Sequence, residues 1–522
     1  MTAATPVGPA PRHDPGSPAV SAEWRRLSPA TVWASVALLA AVIGLPAIVA
    51  TAAVALAGAL VPWGLTIVTA AAALIAALAG ADALRLRRTR YRVTGERMEM
   101  DSGIVARTSR SIPRERIRSV DVSAPLWARV LGLCSVTVGT GVSAGAARQD
   151  ELRLDFVTAA EGARLRRELL LRGPGADAGD ASGLPGTAVL AGLSPAWFGY
   201  APLSRAVPLL GAGAIGGAWQ VLSWFGEQRA VRMTLPVWEA VLAHPFVAVP
   251  ALVLTVAVTG TVAATALQVE AWWNYRMTRE SDGTLLVQRG LLTAKSLSVE
   301  ERRLHGAEVL EPLPLRWSGG AKVAAVATGL GGGDREETVA RSALSPAMPG
   351  PRARRLAAAV LNAPFSLLDT PLAAHPRAAL RRRVAGALLG AAVIAAVLVG
   401  AAAVTPWVAW WAGPAAAAVA APLLVAYAVG AYRGLGHALT PGHLVTRAGM
   451  AARATVALER DGIIGWRFTR SPMQRRAGLV TVGATTAGGS GVYRAVDMGL
   501  GEGVRLADAA VPGLLAPFLE PA

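Results

Sequence analysis

The sequence predicts an α-helical membrane protein: six transmembrane helices, arranged as three hairpins, alternate with three small α+β modules, each a bent antiparallel sheet capped by a C-terminal helix. Three observations predict it. Six apolar segments are long enough to cross a bilayer, which takes about 20 residues. Arginine clusters stand at the same end of each hairpin. The stretches between hairpins share β-type patterning, with glycines at equal spacings.

The spans are read at 32–54 and 62–84, at 205–226 and 244–268, and at 384–404 and 408–431. The middle of each lacks Asp, Glu, Lys and Arg. An ion-coupled pathway needs such groups, so this speaks against a pump or symporter. Arg25 and Arg26 precede the first span, and Arg85, Arg87, Arg88 and Arg90 follow the second. Arg276 and Arg279 follow the fourth, Arg381, Arg382 and Arg383 precede the fifth, and Arg433 follows the sixth. The first and third connectors are uncharged; the middle one carries Glu227, Arg229, Arg232 and Glu239. Basic residues mark the cytoplasmic side. The expected location is a bacterial plasma membrane, multi-pass, with both termini and all three modules cytoplasmic. Trp63, Trp224, Trp238, Trp407, Trp410 and Trp411 then sit at the outer tips, where interfacial aromatics belong. Gly213-x-x-x-Gly217 and Gly386-x-x-x-Gly390 offer places for helices to approach closely.

The net charge is +17, almost all from Arg, since Lys occurs only at Lys295 and Lys322. Such an excess suits nucleic acid or an anionic membrane surface. In a chain with spans the membrane is the simpler partner, and no nucleic acid is expected. Cys134 is the sole cysteine, which excludes a disulfide within the chain and a Cys-based zinc site. It fits domains in a reducing compartment. The six histidines form no His-x-x-x-His pair; His437 and His443, the nearest two, read as loop residues. Gly211-Ala-Gly213-Ala-Ile-Gly216 lies inside an apolar span, where a dinucleotide loop would need a preceding strand. Ser223, Ser342 and Ser490 lack a nucleophile-elbow context, and Gly489-Ser490-Gly491 reads as a hairpin turn. No catalytic, cofactor or metal site is expected. Residues 1–28 are rich in Pro, Ala and Ser and read as a disordered tail, without an early apolar stretch that would make a cleaved signal peptide.

The boundaries follow. Hairpins occupy 29–87, 204–271 and 383–431; modules occupy 88–172, 272–364 and 432–522; linkers occupy 173–203 and 365–382. Each module opens near a tyrosine (Tyr91, Tyr275, Tyr432) and continues as an apolar run ending at Gly103, Gly290 or Gly449. Fourteen residues on stands Ile117, Leu304 or Ile463; twenty-nine residues on stands Gly132, Gly319 or Gly478. Val120-Asp-Val122 and Leu152-Arg-Leu-Asp-Phe156 alternate at period two, as half-buried strands do. Helices are expected at Thr158–Leu171, with Thr158 and Glu161 in capping-box spacing, at about Arg352–Leu361, and at about Leu506–Phe518.

Tyr91-Arg-Val-Thr94, the Gly103 turn, Ile112-Pro113-Arg-Glu-Arg-Ile117-Arg-Ser-Val120, Gly132 and Ser135-Val-Thr-Val138 resemble the bacterial pleckstrin-homology-type domain. The whole chain resembles the YdbT-like membrane proteins, in which paired spans alternate with three such PH-like modules. The second module diverges: Val299-Glu-Glu-Arg-Arg-Leu304 lacks the proline, and Gly331-Gly-Gly333 loosens a loop. The resemblance implies a bent seven-stranded sheet capped by a helix, and no catalytic residues.

The candidate ligand surface is Arg107, Arg110, Arg114, Arg116, Arg118 and Arg129, an array that suits anionic lipid headgroups or an acidic protein. The expected function is a non-enzymatic membrane scaffold or adaptor whose repeated modules bind a protein or anionic lipid at the inner leaflet. The alternative is a component of a transport or export system for a neutral or lipid-like substrate. The sequence leaves the oligomeric state open.

Overall fold

The computed structural model describes residues 24–27, 32, 36, 39–44, 46–48, 51–52, 61–103, 108–114, 117, 119–139, 152–170, 188–224, 226–281, 283–330, 335–405, 407 and 409–518. Four helices are long and apolar enough to cross a membrane: Leu65–Arg88 within α1 (Val61–Arg88), α6 (Pro245–Trp272), α10 (Arg377–Val404) and α11 (Ala412–Arg433). A fifth arises if α4 (Val207–Trp224) counts together with the 3-10 turn Pro195–Leu203, from which it bends by 82°. Of the span expected at 32–54, the described residues are 32, 36, 39–44, 46–48 and 51–52, with a π-helical turn at Ala40–Gly44. These helices present Leu78, Phe246, Val253, Leu388 and Val397 on open faces. A protein surrounded only by water rarely leaves apolar surface on that scale uncovered.

Two details of the helices differ from expectation. The charged connector of the second hairpin is itself helical, α5 (Glu227–Ala243), because Glu, Arg, Met, Leu and Ala favour helix even around Pro236. Close helix approach does not use the first expected glycine pair, and of the second only Gly390 meets the neighbouring helix, where a Cβ would stand 3.7 Å from the Leu424 side chain. A Cβ on Gly211 of α4 would strike the Val256 carbonyl of α6, and one on Gly260 of α6 would strike the Val207 carbonyl. Gly213, Gly217 and Gly386 face open space.

The chain divides into two compact units. The first comprises Met1–Val122, Trp127–Val138 and Leu152–Pro185. Here β1 (Arg25–Arg26), β2 (Arg90–Val93), β3 (Arg97–Ser102) and β4 (Thr108–Pro113) form one sheet in that order. After β5 (Ser119–Pro125) and the short α2 (Leu126–Val130), β6 (Leu133–Gly139) pairs antiparallel with β7 (Leu152–Thr158). Helix α3 (Ala159–Leu170) follows, with the Glu161 amide donating to the Thr158 hydroxyl at 3.3 Å. The end of the expected tail is therefore structured. Trp24 lies under the guanidinium groups of Arg90 and Arg92, at 4.5 and 4.7 Å, and Arg25 pairs with Glu161 at 2.9 Å.

The second unit holds Gly186–Ala522 together with Ser123–Leu126 and 139–151. β8 (Ala188–Gly192), from the expected linker, pairs antiparallel with β9 (Arg276–Arg279), followed by β10 (Thr284–Arg289) and β11 (Thr293–Glu300). Next come β12 (Leu304–Pro312), α7 (Leu313–Trp317), β13 (Gly320–Ala327), α8 (Arg335–Arg341), the two-residue β14 (Met348–Pro349) and α9 (Gly350–Val360). Beyond α11 run β15 (Gly436–Leu439), β16 (His443–Ala448), β17 (Ala452–Glu459), β18 (Ile463–Thr469), α12 (Pro472–Arg476), β19 (Leu479–Thr486), β20 (Val492–Gly499) and α13 (Leu500–Ala510). That last helix begins six residues before its expected start.

Register is the same at three places. Arg97 pairs with Pro113, Thr284 with Glu300 and His443 with Glu459. The turns behind these strands sit at Gly103, Gly290 and Gly449, with φ of 121°, 114° and 101°, a region that penalises any side chain with a Cβ. Ile117, Leu304 and Ile463 are all buried. In each case a segment ahead of a helix pair returns to the first strand behind it: Arg25 pairs with Tyr91, Val189 with Thr278, and Ala373 with His437. The three opening tyrosines, by contrast, hold different posts. Tyr91 lies in β2, Tyr275 ahead of β9, and Tyr432 inside α11.

A six-stranded sheet, β14-β13-β12-β17-β16-β15, joins the second and third β-rich segments. Strands β12 and β17 pair antiparallel from Gly306↔Leu458 to Pro312↔Ala452. Alternate residues serve opposite cores: Val323, Ala325 and Ala457 pack with β9–β10 and α9, while Val326, Val456 and Leu458 pack with β19–β20 and α13. A strand buried on both faces loses the polar alternation of a half-buried one.

Candidate anion-binding surfaces

The expected arginine array divides by what each member touches. Arg107, Arg116 and Arg118 lie outside the described residues. Arg110, half-buried, is on the same side of β4 as buried Ile112. Arg129 ends α2, exposed. Arg114 donates to the Glu168 carbonyl in the last turn of α3 and to the Gly95 carbonyl. The third segment repeats the arrangement: Arg460 donates to the Ala510 and Ala509 carbonyls at 2.7 and 2.8 Å and to Pro441 at 2.9 Å. In the second segment Arg279 takes the post from another strand, reaching Ala359 and Val360 carbonyls at 2.8 and 3.3 Å while paired with Glu301. A guanidinium suits a helix C-terminus, where unpaired carbonyls carry the negative end of the dipole. Arg114 therefore fastens a helix.

A second cationic cluster lies wholly within the second unit. A cavity of about 430 Å³ opens where Arg205, just before α4, comes near Gln268 and Trp272 in the last turns of α6. Its walls add Arg289 of β10, Lys322 of β13, Arg453 of β17 and Glu311 of β12. Four basic side chains share this lining with one carboxylate: Glu311 pairs with Arg453 and, at 3.6 Å, with Arg354, while burial and the nearby Arg205 hold Lys322 below the usual lysine range. Arg289 lies 4.1 Å from the Trp272 ring centroid. The Gln268 amide nitrogen is buried with no hydrogen-bond acceptor among the described residues. Size and lining match a small-ligand site for an oxygen-rich anion. The sequence conceals it, because Arg205, Arg289, Lys322 and Arg453 come from four separate elements.

A polar knot holds α10 to the third segment. Asp497, fully buried, accepts from Arg382 at 2.6 Å, Arg383 at 3.0 Å and Gln474 at 2.7 Å. Beside it His437 stands 3.3 Å from His375, whose carbonyl accepts from the Tyr432 hydroxyl at 2.9 Å. His437 is thus a buried β15 residue rather than a loop histidine, and His443 begins β16. Burial holds both His375 and His437 below the usual histidine range, and in His375 the neighbouring His437 adds to the effect. Among the described residues no cluster of His, Cys, Asp or Glu is arranged to hold a metal ion. Cys134 is buried, which pushes its thiol up.

Residues 34–172 and 383–512 match the family model described as the bacterial PH domain, and together they make up just over half of the chain. Each match takes in a helical region and the β-rich segment behind it; the second β-rich segment lies outside both. No curated protein and no solved structure matches the chain.

Proposed function

This chain belongs to the bacterial PH domain family, and on that premise we propose that it is a non-enzymatic, multi-pass plasma-membrane scaffold whose three PH-like modules bind anionic lipid headgroups on the cytoplasmic side. In this reading all six apolar segments span the bilayer. The second segment is a third copy of the module, since it shares the strand register and glycine turns of the others. Its short β14, and α8 beside it, mark its divergence. The strand pairs that bracket each hairpin support a common side for all modules, because an even number of crossings returns the chain to the side it left.

The carrying observation is the cavity of Arg205, Gln268, Arg289 and Lys322 at the ends of α4 and α6. In this reading a cavity between a residue just before one span and the last turns of another lies at headgroup depth, and basic pockets at that depth suit anionic lipids. Native mass spectrometry of the full-length protein with added phosphatidylglycerol or phosphatidylcholine tests this. Phosphatidylglycerol adducts are expected to dominate and to fall about five-fold for each cation removed, from roughly 1 kcal/mol per Arg or Lys near the headgroups, in Arg289→Ala and Lys322→Gln. Equal adducts of both lipids would overturn the reading.

A transport component for a lipid-like substrate is the second reading. It is favoured by an apolar cavity of about 900 Å³ among α4, α5 and α6, lined by Ile215, Leu235, Trp238 and Leu252. Lipid-flip measurements in proteoliposomes decide it; no flipping above protein-free vesicles removes it.

A further inference from the structure

Strand β18 has an open edge where its counterpart in the preceding segment is covered. Both β12 and β18 follow a 3-10 turn, Glu301–Arg303 or Arg460–Gly462, and both lead into a five-residue helix. Each pairs with the next strand through a register shift at the same place, between Leu304 and Gly306 or between Ile463 and Gly465. Strand β12 has a second neighbour, β17. Strand β18 pairs only with β19 among the described residues. The consequences show in its side chains. Ala307 and Val309 of β12 are buried, whereas their counterparts Trp466 and Phe468 keep part of their surface in the open, Phe468 at 37%. Ile464 is 62% exposed. An edge with unpaired backbone groups and apolar side chains invites another strand.

The strand that covers β12 is of one kind. β17 follows a glycine turn and pairs behind it from His443↔Glu459 to Ala448↔Ala454. β4 repeats this from Arg97↔Pro113 to Ser102↔Thr108, and it ends its sheet with no outer neighbour among the described residues. We propose that the open edge of β18 receives β4 of a second copy of this chain, antiparallel and in the register of β12 with β17. Transferring Gly306↔Leu458 and Leu310↔Ala454 sets Gly465 opposite Ile112 and Thr469 opposite Thr108. The two edges differ, so the contact is heterologous and joins copies head to tail in a row or ring. It also sets Arg467 opposite Arg110. One like-charge pair opposes a whole ladder of backbone hydrogen bonds, so it tunes the contact without forbidding it. Confinement of both copies to one membrane raises their effective concentration. The proposal is independent of the lipid reading.

The test uses full-length protein in native membranes with Cys134→Ala as background. One tagged chain carries Thr469→Cys and a differently tagged chain carries Thr108→Cys, both exposed positions. Labelling by a soluble maleimide first shows that each thiol is accessible, and mild oxidation or a short thiol crosslinker then joins neighbours. The expected product is a covalent dimer containing both tags, a ladder of larger species when one chain carries both cysteines, and a higher yield with Arg467→Glu. Accessible thiols that give only monomer would overturn the proposal, as would a product confined to Thr469→Cys with Thr469→Cys, which would mean edge pairing of another symmetry.

Discussion

Asp497 accepts a hydrogen bond at 2.6 Å from Arg382, tying the last strand of the chain to the first turns of a long apolar helix. The carboxylate has no solvent exposure and is also bonded to Arg383 and Gln474. Its φ of 63° lies in the left-handed region, which Asp and Asn tolerate better than most residues.

Replacing it separates charge from backbone. Asp497→Ala leaves two guanidinium groups facing an empty site and is expected to cost about 3 kcal/mol. Asp497→Asn keeps the backbone and an acceptor and should cost less. Burial raises the Asp497 pKa, but the bonds from Arg382 and Gln474 and the charges of Arg383 and Arg382 outweigh it and hold it below the usual aspartate range. A depressed folded pKa means stability that is present above the unfolded value of 3.8 and lost as pH falls through the folded value. Thermal melts in detergent below pH 4 should therefore weaken for the parent chain and less so for Asp497→Asn; equal slopes would refute this.

The buried histidines act at milder acidity. Their folded pKa values lie below the ordinary 6.5, so the unfolded chain takes up protons first. Stability is full above about pH 6.5 and declines as pH falls from there through the folded values. The double substitution His375→Gln, His437→Gln should flatten the melting-temperature profile between pH 6.5 and 5. A residual slope is expected, since burial also lowers His305 and His443.

Arg460 and Arg114 should be stability residues. Arg460→Ala gives up three carbonyl partners and is expected to cost about 2 kcal/mol, in keeping with hydrogen bonds from a charged donor. Arg460→Lys recovers only part, since one ammonium cannot span the fork. Arg114→Ala should likewise lower the melting temperature while leaving phosphatidylglycerol adducts at parent levels. A drop in adducts without a change in melting would assign Arg114 to the lipid instead.

Gly211→Val and Gly260→Val should separate α4 from α6, because each adds atoms where a backbone carbonyl already stands. Gly213→Val, facing open space, serves as the control. Monodisperse yield on size exclusion measures the difference; a full yield from Gly211→Val would show that the two helices do not pack this closely.

Equal spacings found the turns at Gly103, Gly290 and Gly449, because a positive φ is a local demand that names its own residue. The apolar helices were legible for a similar reason: length and hydropathy are properties of contiguous residues. The capping-box spacing placed α3, and Glu161 does donate its amide to Thr158, but its carboxylate goes to Arg25 and the Tyr91 hydroxyl, partners far away in the chain.

By itself the sequence determined the glycine turns at Gly103, Gly290 and Gly449, four long apolar helices, and the resemblance of its first β-rich segment to a PH-type domain. Only the tertiary structure decided what the charges and glycines are for. It gave Arg114 to a helix end, drew Arg205, Arg289 and Lys322 to one cavity, set Gly211 rather than Gly213 against a neighbouring helix, and paired β12 with β17 while leaving the edge of β18 open. The physical reason is distance along the chain. Turns and apolar periodicity are written in neighbouring residues, whereas ion pairs, close approaches and strand edges depend on partners that folding brings together.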